Sequence, residues 1–288
     1  MINVDSKHDL RFDKLDISYF ILIEKIESGG FSIVYLSKLN KGKLLSLYPN
    51  VDKLWLKRYF AVKIISKLKY FNKIHLDIHR EYSVLSKLDH TNIIKVYAEY
   101  EGDKDVYLIL EYVDGNDLFN ILTCYSSRFK FEQEKAINYL RNILNGLNYL
   151  YKSGVIHGDI KLENLLLTKD KIIKLIDFGH SVDTKKKVFR TGTPSYMSPE
   201  VIQKIEAYPI KSEIWCIGVL LYEMLTGKVP FKGSVKGNLF PNIIDINYTF
   251  AFMNVSKESQ NLIESILKYN PEDRPTIEQI LDHKLFNI

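Results

Sequence analysis

Three short polar clusters in this chain of 288 residues each follow an apolar run, where a rigid scaffold usually displays its reactive groups. In VIHGDIKLENLLL, Asp159 is followed two residues later by Lys161 and five later by Asn164. A proton acceptor, a cation and a metal-binding amide can therefore converge on one loop. In KLIDFGHS, Asp177 follows a predicted strand and Gly179 permits a sharp turn. In AVKII, Lys63 projects from the middle of a strand. Taken singly, such a lysine normally points to solvent, and either aspartate reads equally well as a loop cap.

The elements that must position these groups fall into two kinds. Over residues 17–112 the apolar segments are short and rich in aromatic and β-branched residues (YFILIEKI, SIVYLSK, FAVKII, IIKVYAEY, VYLILEY), which predicts a mostly antiparallel sheet. One helix is expected over 74–88, where Ile78, Tyr82, Leu85 and Leu88 recur at helical spacing. Residues 37–58 have no clear period and read as an inserted loop, solvated in preference to a docking site. Beyond Gly115 the period is helical. Residues 132–153 place Ala136, Leu140, Ile143, Leu144, Leu147, Leu150 and Tyr151 on one face before a stop at Gly154. Ser212 is positioned to cap EIWCIGVLLYEMLT, apolar nearly all round and so expected to be buried. A third helix is expected over 256–268, and Thr276 with Gln279 forms a capping box for a last one. The fold class is α+β.

Apolar residues make up 46% of the chain, enough for substantial cores, and the length fits about two domains. Forty Lys and Arg against 35 Asp and Glu leave +5, too weak by itself to argue nucleic-acid binding, even with clusters such as SKLKYFNK and TKKKVF. Two cysteines, Cys124 and Cys216, exclude a disulfide scaffold. The polar start MINVDSKHDLRF lacks a signal peptide's apolar stretch, and no apolar run reaches the roughly 18 residues of a spanning helix. An intracellular protein is expected, in cytoplasm or nucleus.

Together and in this order, the three clusters resemble the eukaryotic protein kinase catalytic domain, from about Tyr19 to Phe286. The anchor SPE (Ser198 to Glu200), preceded by GTPSYM, the helix EIWCIGVLLYEML and the late NPEDRP extend the match. The resemblance implies a bilobal fold: an extension over residues 1–18, an antiparallel-sheet N-lobe with one main helix over 19–113, carrying the insertion at about 37–58, and a larger, mainly helical C-lobe over 114–288. It implies ATP and Mg²⁺ as cofactors. Lys63 would grip the α and β phosphates and pair with Glu81, chosen nine residues before His90; Asp177 and Asn164 would hold metal, Asp159 would accept the substrate proton and Lys161 would steady the γ-phosphate. For ATP it implies Glu27, Gly29, Gly30, Val34, Ala61, Leu110, Glu111 to Val113, Asp117 and Leu166, with adenine between the lobes. Glu163 and Thr193 would recognise substrate. Arg274 would pair with Glu200, and Glu213 stands for the aspartate that accepts backbone hydrogen bonds from the catalytic loop. His157 and Phe178 complete the structural set. The sequence resembles the serine/threonine branch, and within it the Aurora group most, with calmodulin-dependent and polo-like kinases close behind. Proteins are then the substrates, with a preference for basic residues upstream of the acceptor read by Asp117 and Glu163, and neither nucleic acid nor membrane is expected as a partner. A monomer or control by a partner protein is expected.

The chain also departs from that pattern. Of three phosphate-loop glycines only the middle, Gly29, is kept, the outer two being Glu27 and Ser32, although Gly30 follows. The usual His-Arg-Asp reads His157, Gly158, Asp159, and Phe189 stands three residues before Gly192, where regulated kinases carry a phosphothreonine. Both halves of a phosphorylation switch are missing, which implies activity without it. The rival readings are a pseudokinase that scaffolds or binds nucleotide and, further off, a basic nucleic-acid binder.

Overall fold

Alternating aromatic and β-branched residues near the amino terminus favour strands because their side chains fit a pleated surface. In the computed structural model, which describes residues 10–71, 77–125, 130–185, 192–206, 209–251 and 254–286, the chain divides into two compact units, Met1–Leu88 with Ile94–Val113 and Asp89–Ile93 with Asp114–Ile288. The first holds an antiparallel sheet of β1 (Phe20–Ser28), β2 (Ser32–Leu39), β3 (Tyr59–Ser66), β4 (Val96–Glu101) and β5 (Asp105–Glu111), in the order β1-β2-β3-β5-β4. Its register sets Lys63 between Val34 and Leu108, and Ala61 between Leu36 and Leu110.

The insertion is not a solvated loop. It forms α1 (Lys41–Leu47) and α2 (Lys53–Lys57), capped by Asn40, which accepts from the Lys43 N–H at 3.2 Å, and Asp52, which accepts from the Leu54 N–H at 2.8 Å. Leu44 is wholly buried, a contribution of about 2 kcal/mol. Trp55, Leu56 and Tyr48 pack on a core that includes Leu10, Phe12, Leu15, Phe20 and Phe60, so the amino-terminal extension and the insertion share one apolar cluster. Phe12 lies edge-on to Trp55 at 5.4 Å and stacks on Tyr97 at 5.1 Å. Helices of seven and five residues are too short to show a period, which is why pattern alone misses them.

After β3 come α3 (Lys67–Phe71) and α4 (Arg80–Leu85). The latter is shorter than the expected 74–88. Asp77 accepts the His79 N–H at 3.0 Å, a side-chain turn that competes with helix just before Arg80. Ile74 lies outside the described residues, as do Phe189, Thr191 and two of the three lysines at 185–187.

In the second unit β6 (Gly115–Asp117) pairs with β8 (Leu165–Thr168), which pairs with β9 (Ile173–Leu175), while β7 (Val155–Ile156) pairs with β10 (Val182–Asp183). Its helices are α5 (Leu118–Asn120), α6 (Gln133–Lys152), α7 (Pro199–Ile202), α8 (Pro209–Thr226), α9 (Leu239–Ile244), α10 (Lys257–Ile266) and α11 (Ile277–Leu281). The apolar face of α6 is buried as its spacing predicts, and Gly154 at φ +77° ends it. Ser256 caps α10, and Thr276 with Gln279 forms the capping box of α11. The buried helix α8 begins at Pro209, so Ser212 lies inside it and is not its cap; its hydroxyl instead donates to Glu200 Oε1 at 2.7 Å. No described helix is long and apolar enough to cross a membrane.

Candidate active site

Each unit holds its own part of the site. In the first, Lys63 does not point to solvent. Its Nζ donates to Glu81 Oε2 at 2.6 Å, the two side chains being 12% and 4% exposed. A buried lysine needs a partner charge, and the first turn of α4 supplies it. Glu27 opposes Val34 across β1 and β2, and the exposed turn at Gly29 and Gly30 is closed by the Gly29 N–H donating to Ser32 O at 2.8 Å. Nothing in the fold demands glycine there. A Cβ on Gly30 meets no atom within 4 Å, and one on Gly29 meets Ser32 Oγ at an ordinary 3.5 Å. Leu110 is buried in β5. The N–H of Glu111 is committed to Lys95 O at 2.8 Å, so of the proposed adenine-facing segment this donor is already used. Val113 closes the unit, with Val34 and Ala61 half-buried.

In the second unit, the turn after β7 gathers Asp159, Lys161 and Asn164. Lys161 Nζ pairs with Asp159 Oδ2 at 2.7 Å, Asn164 Nδ2 donates to Asp159 Oδ2 at 3.0 Å and to its carbonyl at 2.7 Å, and Thr193 Oγ1 donates to Asp159 Oδ1 at 3.2 Å. Lys161 also donates to Thr193 Oγ1 at 3.2 Å. Burial alone would lower the Lys161 ammonium, but Asp159 outweighs it and the group is raised. Asp177 sits in a left-handed conformation at φ 63°, ahead of the wholly buried Phe178. The buried His157 holds the loop from behind: Nε2 faces Ile176 O at 2.8 Å, Nδ1 accepts the Asp159 N–H at 3.2 Å, and the ring lies edge-on to Phe178 at 4.7 Å.

Glu213 accepts two consecutive N–H groups of this loop, His157 at 3.2 Å and Gly158 at 2.6 Å. Gly158 adopts φ +95°, a conformation that L side chains rarely take. Glu200 and Arg274 form a two-pronged buried pair, both distances 2.7 Å, with the guanidinium 5.0 Å over the Trp215 ring. Asp117, by contrast, spends its carboxylate capping α5, accepting from the Asn120 N–H at 2.8 Å and its side-chain amide at 2.5 Å. Leu166 pairs with it across β6 and β8.

Sequence reasoning passed over Glu223. It is 9% exposed on α8 and accepts the Tyr196 hydroxyl; burial pushes its carboxyl up, the Tyr196 bond opposes this, and the charge of Glu163 adds to the rise. The signal was a lone carboxylate in the apolar run LLYEML. Glu163 itself is exposed.

An antiparallel-sheet unit with a buried lysine–glutamate pair, followed by a helical unit with an Asp–Lys–Asn loop, is the architecture of a phosphotransferase. The protein kinase domain matches residues 23–286, and the chain belongs to that family. It is similar to Aurora kinase C of Mus musculus, 32% identical over 270 residues that cover 93% of this chain and 91% of the relative. It is also similar to serine/threonine-protein kinase PLK4 of Drosophila virilis, 32% identical over 260 residues, 88% of this chain and 31% of the relative, and of Drosophila grimshawi, 31% identical over 260 residues, 88% and 32%. The chain thus spans about a third of the length of those two PLK4 relatives.

Proposed function

We propose that this protein is an ATP-dependent serine/threonine protein kinase. The observation that carries the reading is the geometry at Asp159, whose carboxylate already accepts a hydroxyl hydrogen bond from Thr193 while Lys161 holds its other oxygen. A serine or threonine hydroxyl presented there would meet a base oriented to take its proton. ATP with Mg²⁺ supplies the transferable γ-phosphoryl group and the neutralising charge. The donor set fits such an ion. Asp177 offers carboxylate oxygen, and the Asn164 amide donates only through nitrogen, leaving its carbonyl oxygen without a hydrogen bond among the described residues. Lys63, fixed by Glu81, would bind the α and β phosphates, and Lys161 the γ-phosphate. Val34, Ala61 and Leu110 would pack against the base, and the Val113 backbone would hydrogen-bond its edge.

The relatives named serine/threonine kinases support the acceptor class. Glu163, exposed on the loop that carries Asp159, supports a preference for arginine or lysine upstream of the acceptor. Asp117, occupied as a cap, is the weaker candidate for that role. Gly158 offers no guanidinium to receive an activation-loop phosphate, so turnover is independent of phosphorylation there. A positional peptide array with labelled ATP tests the reading: phosphoserine and phosphothreonine with selection for basic residues are expected, and phosphotyrosine or no basic selection would contradict it. A second reading, a nucleotide-binding scaffold, is favoured by Glu27 and Ser32 at two of the three glycine positions.

A further inference from the structure

Residues 38–58 contain six cations, Lys38, Lys41, Lys43, Lys53, Lys57 and Arg58, and one acid, Asp52. Their net charge equals the +5 of the entire chain, so everything outside the insertion is balanced. All six cations are exposed, and none is ion-paired to a carboxylate among the described residues. Asp52 caps α2 by accepting the Leu54 N–H, Asp13 pairs with Arg11, and Asp16 accepts the Ser18 N–H and feels only the weak pull of Lys43. The Arg58 guanidinium lies 5.0 Å from the Trp55 ring centre and 5.8 Å from that of Tyr97, with Lys95 at 5.9 Å from the same Tyr97 ring. Like charges gathered this closely repel one another within a screening length of about 10 Å, and a partner of opposite sign relieves that repulsion.

The surface is also firm and partly apolar. Leu44 and Trp55 anchor it to the core, while Leu54 is 73% and Leu47 46% exposed among the lysines. A loop serving only solubility would need neither a buried anchor nor outward leucines. We propose that the insertion is a docking surface for an acidic, leucine-bearing peptide segment of a partner protein, its carboxylates meeting the lysines and its aliphatic side chains covering Leu54 and Leu47. A preformed surface loses little freedom on binding. A membrane is a poorer fit, because α1 and α2, of seven and five residues, are only about 10 and 8 Å long and present no extended apolar stripe. Nucleic acid is poorer as well, since Trp55 is half-buried and its ring is already engaged by Phe60 at 6.4 Å and by the Arg58 guanidinium at 5.0 Å.

The test uses a fluorescein-labelled peptide of four Glu-Glu-Leu-Glu repeats, with anisotropy measured on the full chain. Beside it are run a polyglutamate of equal length, vesicles of phosphatidylserine and phosphatidylcholine, and mixed-sequence duplex DNA. Binding of the leucine-bearing peptide should fall about tenfold or more in K41E/K43E/K53E/K57E, and by a smaller graded factor in the milder K41Q/K53Q. Leu54→Ser should lose about fivefold for that peptide and leave polyglutamate unaffected. K228E/K232E/K236E, at exposed lysines of the second unit, should bind as wild type. Equal loss in that control, indifference to Leu54→Ser, or tighter binding of vesicles or DNA than of the peptide would overturn the proposal.

Discussion

Gly158 shows how a single residue can be read correctly as an absence and still conceal its reason. The missing arginine was legible from His-Gly-Asp. The backbone at φ +95° was not, because the demand arises from Glu213, 55 residues away, which holds the Gly158 N–H. A Cβ in that region costs about 1–2 kcal/mol. Gly158→Ala and Gly158→Arg should therefore both lower the melting temperature, by roughly 3–6 °C for a chain of this size. An unchanged melt for both would remove the conformational explanation. Gly29 and Gly30 are the opposite case, since neither a positive φ nor a close neighbour requires them. Alanine at both should leave the melting temperature unchanged or slightly higher while raising KM for ATP. A KM equal to wild type would mean the turn does not approach the phosphates.

At the scale of elements, the long helices and the strands were legible because burial imposes a period on them, and Ser256, Thr276 and Gly154 marked their ends. The insertion was legible as an insertion but its helices were not, because two helices of seven and five residues need only Leu44, Trp55 and Leu56 to dock. The start of α8 was misplaced for a related reason: Ser212 has the chemistry of a cap, but its hydroxyl serves the carboxylate of Glu200. That carboxylate ties α7 to the segment before α11. Burial would raise Glu200, yet the Arg274 guanidinium and the Ser212 hydroxyl together hold it below the ordinary value. A carboxyl lowered in the fold contributes stability above its ordinary pKa and loses it as pH falls through the lowered one. Wild type should thus lose melting temperature as pH is taken from 5 to 3, and Glu200→Gln, already less stable at pH 7, should lose less over that range. Arg274→Ala should cost about 3–5 kcal/mol, because it strands a buried carboxylate. Parallel acid limbs for wild type and Glu200→Gln would show that the pair does not govern acid stability.

For the molecule as a whole, the order of its chemistry-bearing residues exposed the family before any element was placed, since Lys63, Glu81, Asp159, Asn164 and Asp177 keep their sequence and their neighbours. What they could not reveal was how each is held: Lys63 by burial beside Glu81, Asp159 by Lys161, Asn164 and Thr193, and the loop backbone by Glu213. Glu223 stayed hidden because a lone acid in an apolar helix has no motif of its own. The central claim is that these groups turn over ATP and do not merely bind it. Its most direct test is phosphotransfer from labelled ATP with Mg²⁺ to a basic serine/threonine peptide, comparing wild type with Asp159→Asn and Asp177→Asn, all with melting temperatures recorded. Wild type should label the peptide, and each variant should fall by about 10²–10⁴-fold while remaining folded. Labelling by wild type no greater than by the folded variants would contradict the enzyme and leave the nucleotide-binding scaffold in its place.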